Sequence, residues 1–250
     1  SDAFSLDPQR LADAITPKTR AILLNFPNNP TGGNLSEEQK DQIAKIAVDN
    51  DLIVITDEIY AELTYGDYGQ RIASRPGMRE RTVFLHGFSK AYAMTGYRVG
   101  YACGPIPLID AMMKIHQYTM LCASIISQEA AVEAFRHARG EMVRMVNEYE
   151  QRRNVITARM NAIGLNCLKP DGAFYVFPNI SVSGLTSTEF AQQLLAEEKV
   201  AVVPGTAFGA GEFADKHVRC SYASSMEQIE TACDRIAAFL ERRGITPPAH

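Results

Sequence analysis

The chain has 250 residues, 46% of them hydrophobic and 22% charged, which is globular composition and enough length for one large domain or two smaller ones. A formal net charge of -4 provides no extended basic face, so nucleic acid and anionic membranes are not expected partners. No apolar run approaches a membrane span, and the opening SDAFSLDPQR lacks the layout of a secretion signal.

In chain order, apolar β-rich runs alternate with helical stretches, which predicts an α/β fold: a mostly parallel sheet with helices on both faces. The run AILLN at 21–25 reads as a buried strand ending in the turn-forming cluster FPNNPTGGN. Ser36 then caps a helix, with Gln39 three residues on as its capping-box partner. Strands follow at 52–56, 82–88 and 98–103, then helices over 106–120 and 127–138. A long helix over 141–161 is closed by Gly164. Beyond it the pattern changes to short strands at 173–180, 200–204 and 217–223, with helices over 188–199 and 226–242, as expected of a smaller α+β domain. The boundary is expected inside the long helix, giving domains 1–145 and 146–250.

Ligand sites in open α/β sheets lie beyond the carboxyl ends of the strands, and three polar clusters follow strands here. Asn29, in NNPTGG, sits in what could be a plain surface turn or could present a rigid amide to an anionic oxygen. Asp57, straight after LIVIT, could cap the next helix or pair with a cationic nitrogen, and Tyr60 could donate its phenol hydrogen to an oxyanion. In LHGFSKAYAMTGYRVGY, Ser89 and Arg98 suit the oxygens of a phosphate, and Gly96 and Gly100 allow close backbone approach. Lys90 could be an ordinary surface lysine, but at a strand end a desolvated amine beside other cations becomes nucleophilic. Arg219, alternating with apolar residues in HVRCSYA, is either a satisfied edge arginine or a bidentate clamp for a carboxylate. Cys103, Cys122, Cys167, Cys220 and Cys233 are scattered and odd in number, which points to free thiols in a reducing cytoplasm. His86, His116, His137, His217 and His250 show no ligand spacing, so they read as structural or surface residues and no metal is implied.

Together the segments NFPNNPTGG, TDEIYAELTYG, LHGFSKAYAMTGYRVGY, PDGAFYVFPNI, VVPGTAFG and VRCSYA resemble the fold-type I, class I/II aminotransferases that use pyridoxal 5′-phosphate (PLP). The resemblance implies the PLP-dependent transferase fold, with 1–145 as part of the large cofactor domain. It implies that Lys90 forms the Schiff base with the cofactor and later shuttles the proton, and that Asp57 keeps the pyridine nitrogen protonated. Tyr60 and Asn29 would hydrogen-bond the phenolic oxygen, Ser89 and Arg98 the phosphate, and Arg219 the substrate α-carboxylate with Asn29 close by. The implied reaction is ping-pong transfer of an amino group from an amino acid, aromatic or dicarboxylic, to a 2-oxo acid by a homodimer. A C–S lyase or synthase of the same fold and a non-catalytic PLP-binding regulatory module are the alternatives.

Two departures stand out. Gly87 occupies the place of a frequent phosphate-binding serine, leaving that contact to His86 or backbone, and Tyr97 stands where tryptophan is frequent. The chain also resembles only the carboxyl-terminal two-thirds of such an enzyme, without the phosphate loop and ring-stacking aromatic that precede it, so weak PLP binding or none, and no activity, is expected of it alone.

Overall fold

The computed structural model describes residues 4–245 and divides them into two units, the first comprising residues up to Asn28 and Gly33–Val146, the second Asn29–Gly32 and the residues from Asn147 onward. His250 lies outside the described residues.

The first unit begins with a short helix, α1 (Pro8–Asp13), and the strand β1 (Ala21–Asn25). Helix α2 (Glu37–Asp49) follows, and its amino end is closed reciprocally: Ser36 Oγ accepts from the Gln39 amide at 3.1 Å while Gln39 Oε1 accepts from the Ser36 amide at 2.8 Å. Strands β2 (Ile53–Asp57) and β3 (Thr82–Gly87) lie parallel to β1 in the order β1-β2-β3-β4. One turn of helix, α3 (Phe88–Ala91), leads on to β4 (Gly100–Cys103), which pairs antiparallel with β3. The sheet's core against α2 is formed by Leu24, Val54, Ile43, Ala47 and Met78, all buried. Helices α4 (Ile106–Thr119) and α5 (Ile125–His137) come next; α5 packs Ala131 and Ala134 on Phe88 and Met94, and Ser127 donates to the Tyr97 carbonyl at 2.7 Å.

Helix α6 (Arg139–Ala162) runs from the first unit into the second, starting two residues before its expected position. Gly164 ends it with φ +88°, a conformation that suits glycine. The second unit then carries β5 (Tyr175–Val176), α7 (Ser187–Glu198), β6 (Val203–Pro204), the single-turn α8 (Glu212–Asp215), β7 (Val218–Ser221) and α9 (Met226–Glu241). Its sheet is antiparallel, in the order β5-β7-β6. Two strands are shorter than their apolar runs suggest: past β5, Pro178 offers no N–H to extend the ladder, while β6 lacks residues 200–202 and ends at Pro204 as expected. The buried Phe190 of α7 and Phe239 of α9 meet edge to face at 5.3 Å and anchor this unit's core. Among the described residues no helix is long and apolar enough to cross a membrane, and no group of three or more His, Cys, Asp or Glu residues could hold a metal ion.

His217 is buried against the Phe177 ring, stacked at 5.1 Å, with Nδ1 donating to the Phe213 carbonyl at 2.7 Å. Burial pulls its pKa below the ordinary value, and the bond to Phe213 only partly offsets this. The unfolded chain therefore takes up a proton near pH 6.5 that the folded unit refuses until lower pH, so stability falls as pH drops through that value. Urea midpoints at pH 7 and pH 5 should show this loss, and His217→Gln should flatten the difference.

Candidate active site

Because β2 and β3 are parallel and Asp57 pairs with Leu85, the carboxyl ends of the two strands lie side by side. Asp57 closes β2 half-buried, with Oδ1 accepting from the Ile59 amide at 3.1 Å. It therefore does cap the turn, but with one oxygen; no hydrogen bond to Oδ2 is found among the described residues. Tyr60 is buried three residues on. From the end of β3, Ser89 and Lys90 follow at once, both half-buried, and Lys90 Nζ stands 5.9 Å from the centre of the Tyr60 ring. The lysine is thus turned toward the DEIY segment rather than bulk water. The Ser89 carbonyl accepts from the Thr95 hydroxyl at 2.9 Å, while its own hydroxyl has no hydrogen bond among the described residues. Arg98 is exposed, holds a left-handed backbone at φ +53°, and donates from Nη1 to the Thr95 carbonyl at 3.0 Å.

The glycine at position 87 has a steric cause. Gly87 faces Gly100 across β3 and β4, and a Cβ there would come within 3.1 Å of Ile59 Cδ1 and 3.2 Å of the Val99 carbonyl. A serine would require these neighbours to give way by a few tenths of an ångström. His86 does not replace it: Nε2 is 2.5 Å from the Glu62 carboxylate, Nδ1 lies against the Gly87 backbone, and the ring stacks on Tyr101.

Under these strand ends lies a polar network that sequence reasoning missed. Glu58 is 1% exposed and paired with Arg71, and its Oε1 accepts from the Thr56 hydroxyl at 3.2 Å. Arg71 also reaches Glu62 at 3.2 Å, and Glu62 carries on to His86. Burial alone would raise the Glu62 pKa, but the His86 hydrogen bond, with the charges of His86 and Arg71, holds it below the ordinary carboxylate range. The signal was present in the sequence: neighbours in a strand point to opposite faces, so Asp57 and Glu58 cannot share a role. Glu58→Ala would take from Arg71 its buried partner and leave it only the Glu62 contact, and should destabilise the first unit by about 2 kcal/mol in urea titration, against under about 0.5 kcal/mol for a change at the exposed Glu38.

In the second unit, Arg219 sits mid-strand in β7 and donates from Nη1 to Asn29 Oδ1 at 2.8 Å, bridging residues 190 apart in sequence. Its guanidinium lies 4.4 Å from the Tyr175 ring centre and 4.9 Å from that of Phe208, and its buried Nε has no hydrogen-bond partner. An unsatisfied buried N–H beside an aromatic-flanked fork is suited to an added carboxylate. The two rings were not anticipated, since nothing local in sequence links positions 175, 208 and 219. Asn29 is held by the turn around it: Gly32, at φ +70°, accepts through its carbonyl from the Asp171 and Gly172 amides at 2.9 and 3.0 Å. A Cβ on Gly32 would stand 2.3 Å from Pro170 Cβ, so only glycine fits.

Asp57, Tyr60, Ser89, Lys90 and Arg98 thus all lie in the first unit, with Lys90 beside Tyr60, and Asn29 lies with Arg219 in the second. Comparison with known proteins agrees on the kind of molecule this is. Residues 1–236 match the family described as aminotransferase class I and II. The chain is 43% identical over 244 residues to an aromatic-amino-acid aminotransferase of Thermococcus litoralis, covering 96% of this chain and 62% of that protein. It is 44% identical over 247 residues to an aspartate aminotransferase of Pyrococcus abyssi, covering 97% and 63%. Among solved structures, the aromatic aminotransferase of Pyrococcus horikoshii superposes with a TM-score of 0.93 at 42% identity, covering 98% of this chain and 66% of that one. The chain belongs to the class I and II aminotransferases, enzymes that depend on PLP, and has their fold. It spans about three-fifths of the length of the curated relatives it matches.

Proposed function

We propose that residues 1–145 are the carboxyl-terminal part of a PLP-holding large domain, that 146–250 form the small domain, and that the protein is a transaminase. The observation that carries this is the half-buried Lys90, its Nζ 5.9 Å from the ring of the buried Tyr60 and the strand that leads into it paired with the one Asp57 ends. The available donor set suits PLP: an unbonded carboxylate oxygen on Asp57 for a cationic ring nitrogen, and the Ser89 hydroxyl with the Arg98 fork for a phosphate. When bound, the cofactor supplies the electron sink for the carbanion chemistry. Asp57 Oδ2 would hold the proton on the ring nitrogen, and Tyr60 and Asn29 would donate to the ring's oxygen. Lys90 Nζ would anchor the cofactor covalently and then carry the mobile proton. Arg219, aligned by Asn29 and flanked by Tyr175 and Phe208, would grip the α-carboxylate through Nε and Nη.

The substrates would be amino acids and 2-oxo acids rather than nucleic acid or membrane. An aromatic or dicarboxylic donor is supported by relatives named as aromatic-amino-acid and aspartate aminotransferases. A homodimer is supported by the family's interface-buried active site, and a cytoplasmic setting by five free cysteines.

Excess PLP followed by borohydride should fix a label on the peptide carrying Lys90, and Lys90→Ala should remove both label and visible absorbance; a label retained at full level would place the anchor elsewhere. Arg219→Lys, which keeps charge but loses the fork, should lower kcat/KM about tenfold to a hundredfold in the active enzyme, chiefly through KM. An amino-acid panel with 2-oxoglutarate should yield 2-oxo acids only when the acceptor is present. Ammonia and pyruvate released without it would mark a lyase instead.

A further inference from the structure

The loop over residues 170–174, just ahead of β5, holds a strained backbone. Ala173 is fully buried and has φ +59°, a left-handed conformation that a non-glycine residue keeps only when its surroundings enforce it. The backbone polar groups of the loop divide between two directions. Its Pro170 and Ala173 carbonyls turn to buried side chains: Arg153 of α6 donates from Nη1 to the first at 3.3 Å, and the Tyr222 hydroxyl donates to the second at 3.2 Å. Its Asp171 and Gly172 amides both donate to the Gly32 carbonyl. Arg153 is itself fixed by Glu150 at 2.8 Å and by Asn154 at 3.0 Å.

These contacts form a circuit that begins and ends on one stretch of chain. Tyr222 follows β7 three residues after Arg219, and its backbone amide donates to the Phe174 carbonyl at 3.0 Å. From Arg219 the circuit passes to Asn29, along the turn to Gly32, across to the amides of Asp171 and Gly172, through Ala173 and back by the Tyr222 hydroxyl. Every link lies within the second unit. A loop free to relax would return Ala173 to an ordinary conformation and carry the neighbouring Gly172 amide away from the Gly32 carbonyl. Asn29 has a short side chain, so a shift of its turn passes directly to the Arg219 guanidinium. The phenol and the guanidinium of Arg153 thus act on Arg219 without touching it.

We infer that Tyr222 and Arg153 are positioning residues for the carboxylate grip: they hold the 170–174 loop, the loop holds the 29–32 turn, and the turn sets Asn29 against Arg219. The inference rests on the proposed role of Arg219 and names what aligns it. Tyr222→Phe removes one hydroxyl and keeps the ring, so the unit should fold. By NMR on the isotopically labelled chain, this variant should speed hydrogen exchange at the Asp171 and Gly172 amides about tenfold and move the Asn29 side-chain amide resonances. Arg153→Lys, which keeps the charge and loses the fork, should move both in the same direction. Adding Ala173→Gly to Tyr222→Phe should reverse both changes, since glycine takes this backbone without strain, whereas a general loss of packing would not be recovered there. In the active enzyme, Tyr222→Phe should raise KM for a 2-oxo acid about threefold to tenfold with kcat within about twofold, and should add nothing in an Asn29→Ala background. Unchanged exchange, an unmoved Asn29 signal, no rescue by glycine, or an equal KM rise in the Asn29→Ala background would each overturn the inference. The expected exchange and resonance changes in a protein whose wild type transaminates nothing would uphold the positioning of Asn29 and fail the transaminase reading instead.

Discussion

The parallel register between β2 and β3 is the constraint on which the first unit's site depends. Asp57 pairs with Leu85, so the two chains leave the sheet at one level, and the turn after one strand meets the helical turn after the other. A slip of one residue would reverse the direction of every side chain in the strand, turning Asp57 to the face that Glu58 now occupies. Two carboxylates in sequence thereby acquire opposite surroundings. One keeps an oxygen open at the strand end; the other is sealed beneath it with an arginine. The pair is costly on the Glu58 side, whose charge loses its water while Arg71 stays partly exposed, and its value lies in having one geometry that satisfies it. Through Arg71, Glu62 and His86, that geometry ties the end of β2 to β3, the strand that leads into Lys90.

The second unit solves a related problem with a different device. A guanidinium in a short strand must be partnered or solvated, and Arg219 is instead flanked by two rings and bonded to an amide contributed from near the other end of the chain. The amide is steady because its turn is fastened to a loop that only glycine at position 32 can approach so closely. A sequence-distant contact of this kind depends on a conformationally permissive residue.

How much of this the sequence reveals follows from the range of the forces involved. Helices α2, α7 and α9 are readable because capping and apolar periodicity act within a few residues. Strands β1 to β3 are readable because their apolar runs are unbroken, although one face of β1 is open, with Leu23 73% exposed. The early end of β5 is legible from Pro178, whereas the late start of β6 has no local signal in the apolar run before it. Asp57, Tyr60, Ser89 and Lys90 show in the sequence because they sit at strand ends, whereas Arg71, Glu62, Tyr175 and Phe208 enter through tertiary folding alone. The exchange of serine for glycine at position 87 is visible in the sequence, but its cause, a backbone pressed against another glycine's strand, is not.

The cysteines divide along the same line as the units. Cys103 and Cys122 are exposed in the first, close to either end of α4, while Cys167, Cys220 and Cys233 are buried in the second. Burial pushes the Cys167 thiol up to about 12 and Cys233 to about 11, so almost no thiolate exists there at neutral pH. An alkylating reagent would accordingly mark two sulfurs at once and three only when the second unit opens. The molecule contains its own clock for local unfolding, needing no introduced probe, and its slow hand reads the half of the chain that carries Arg219.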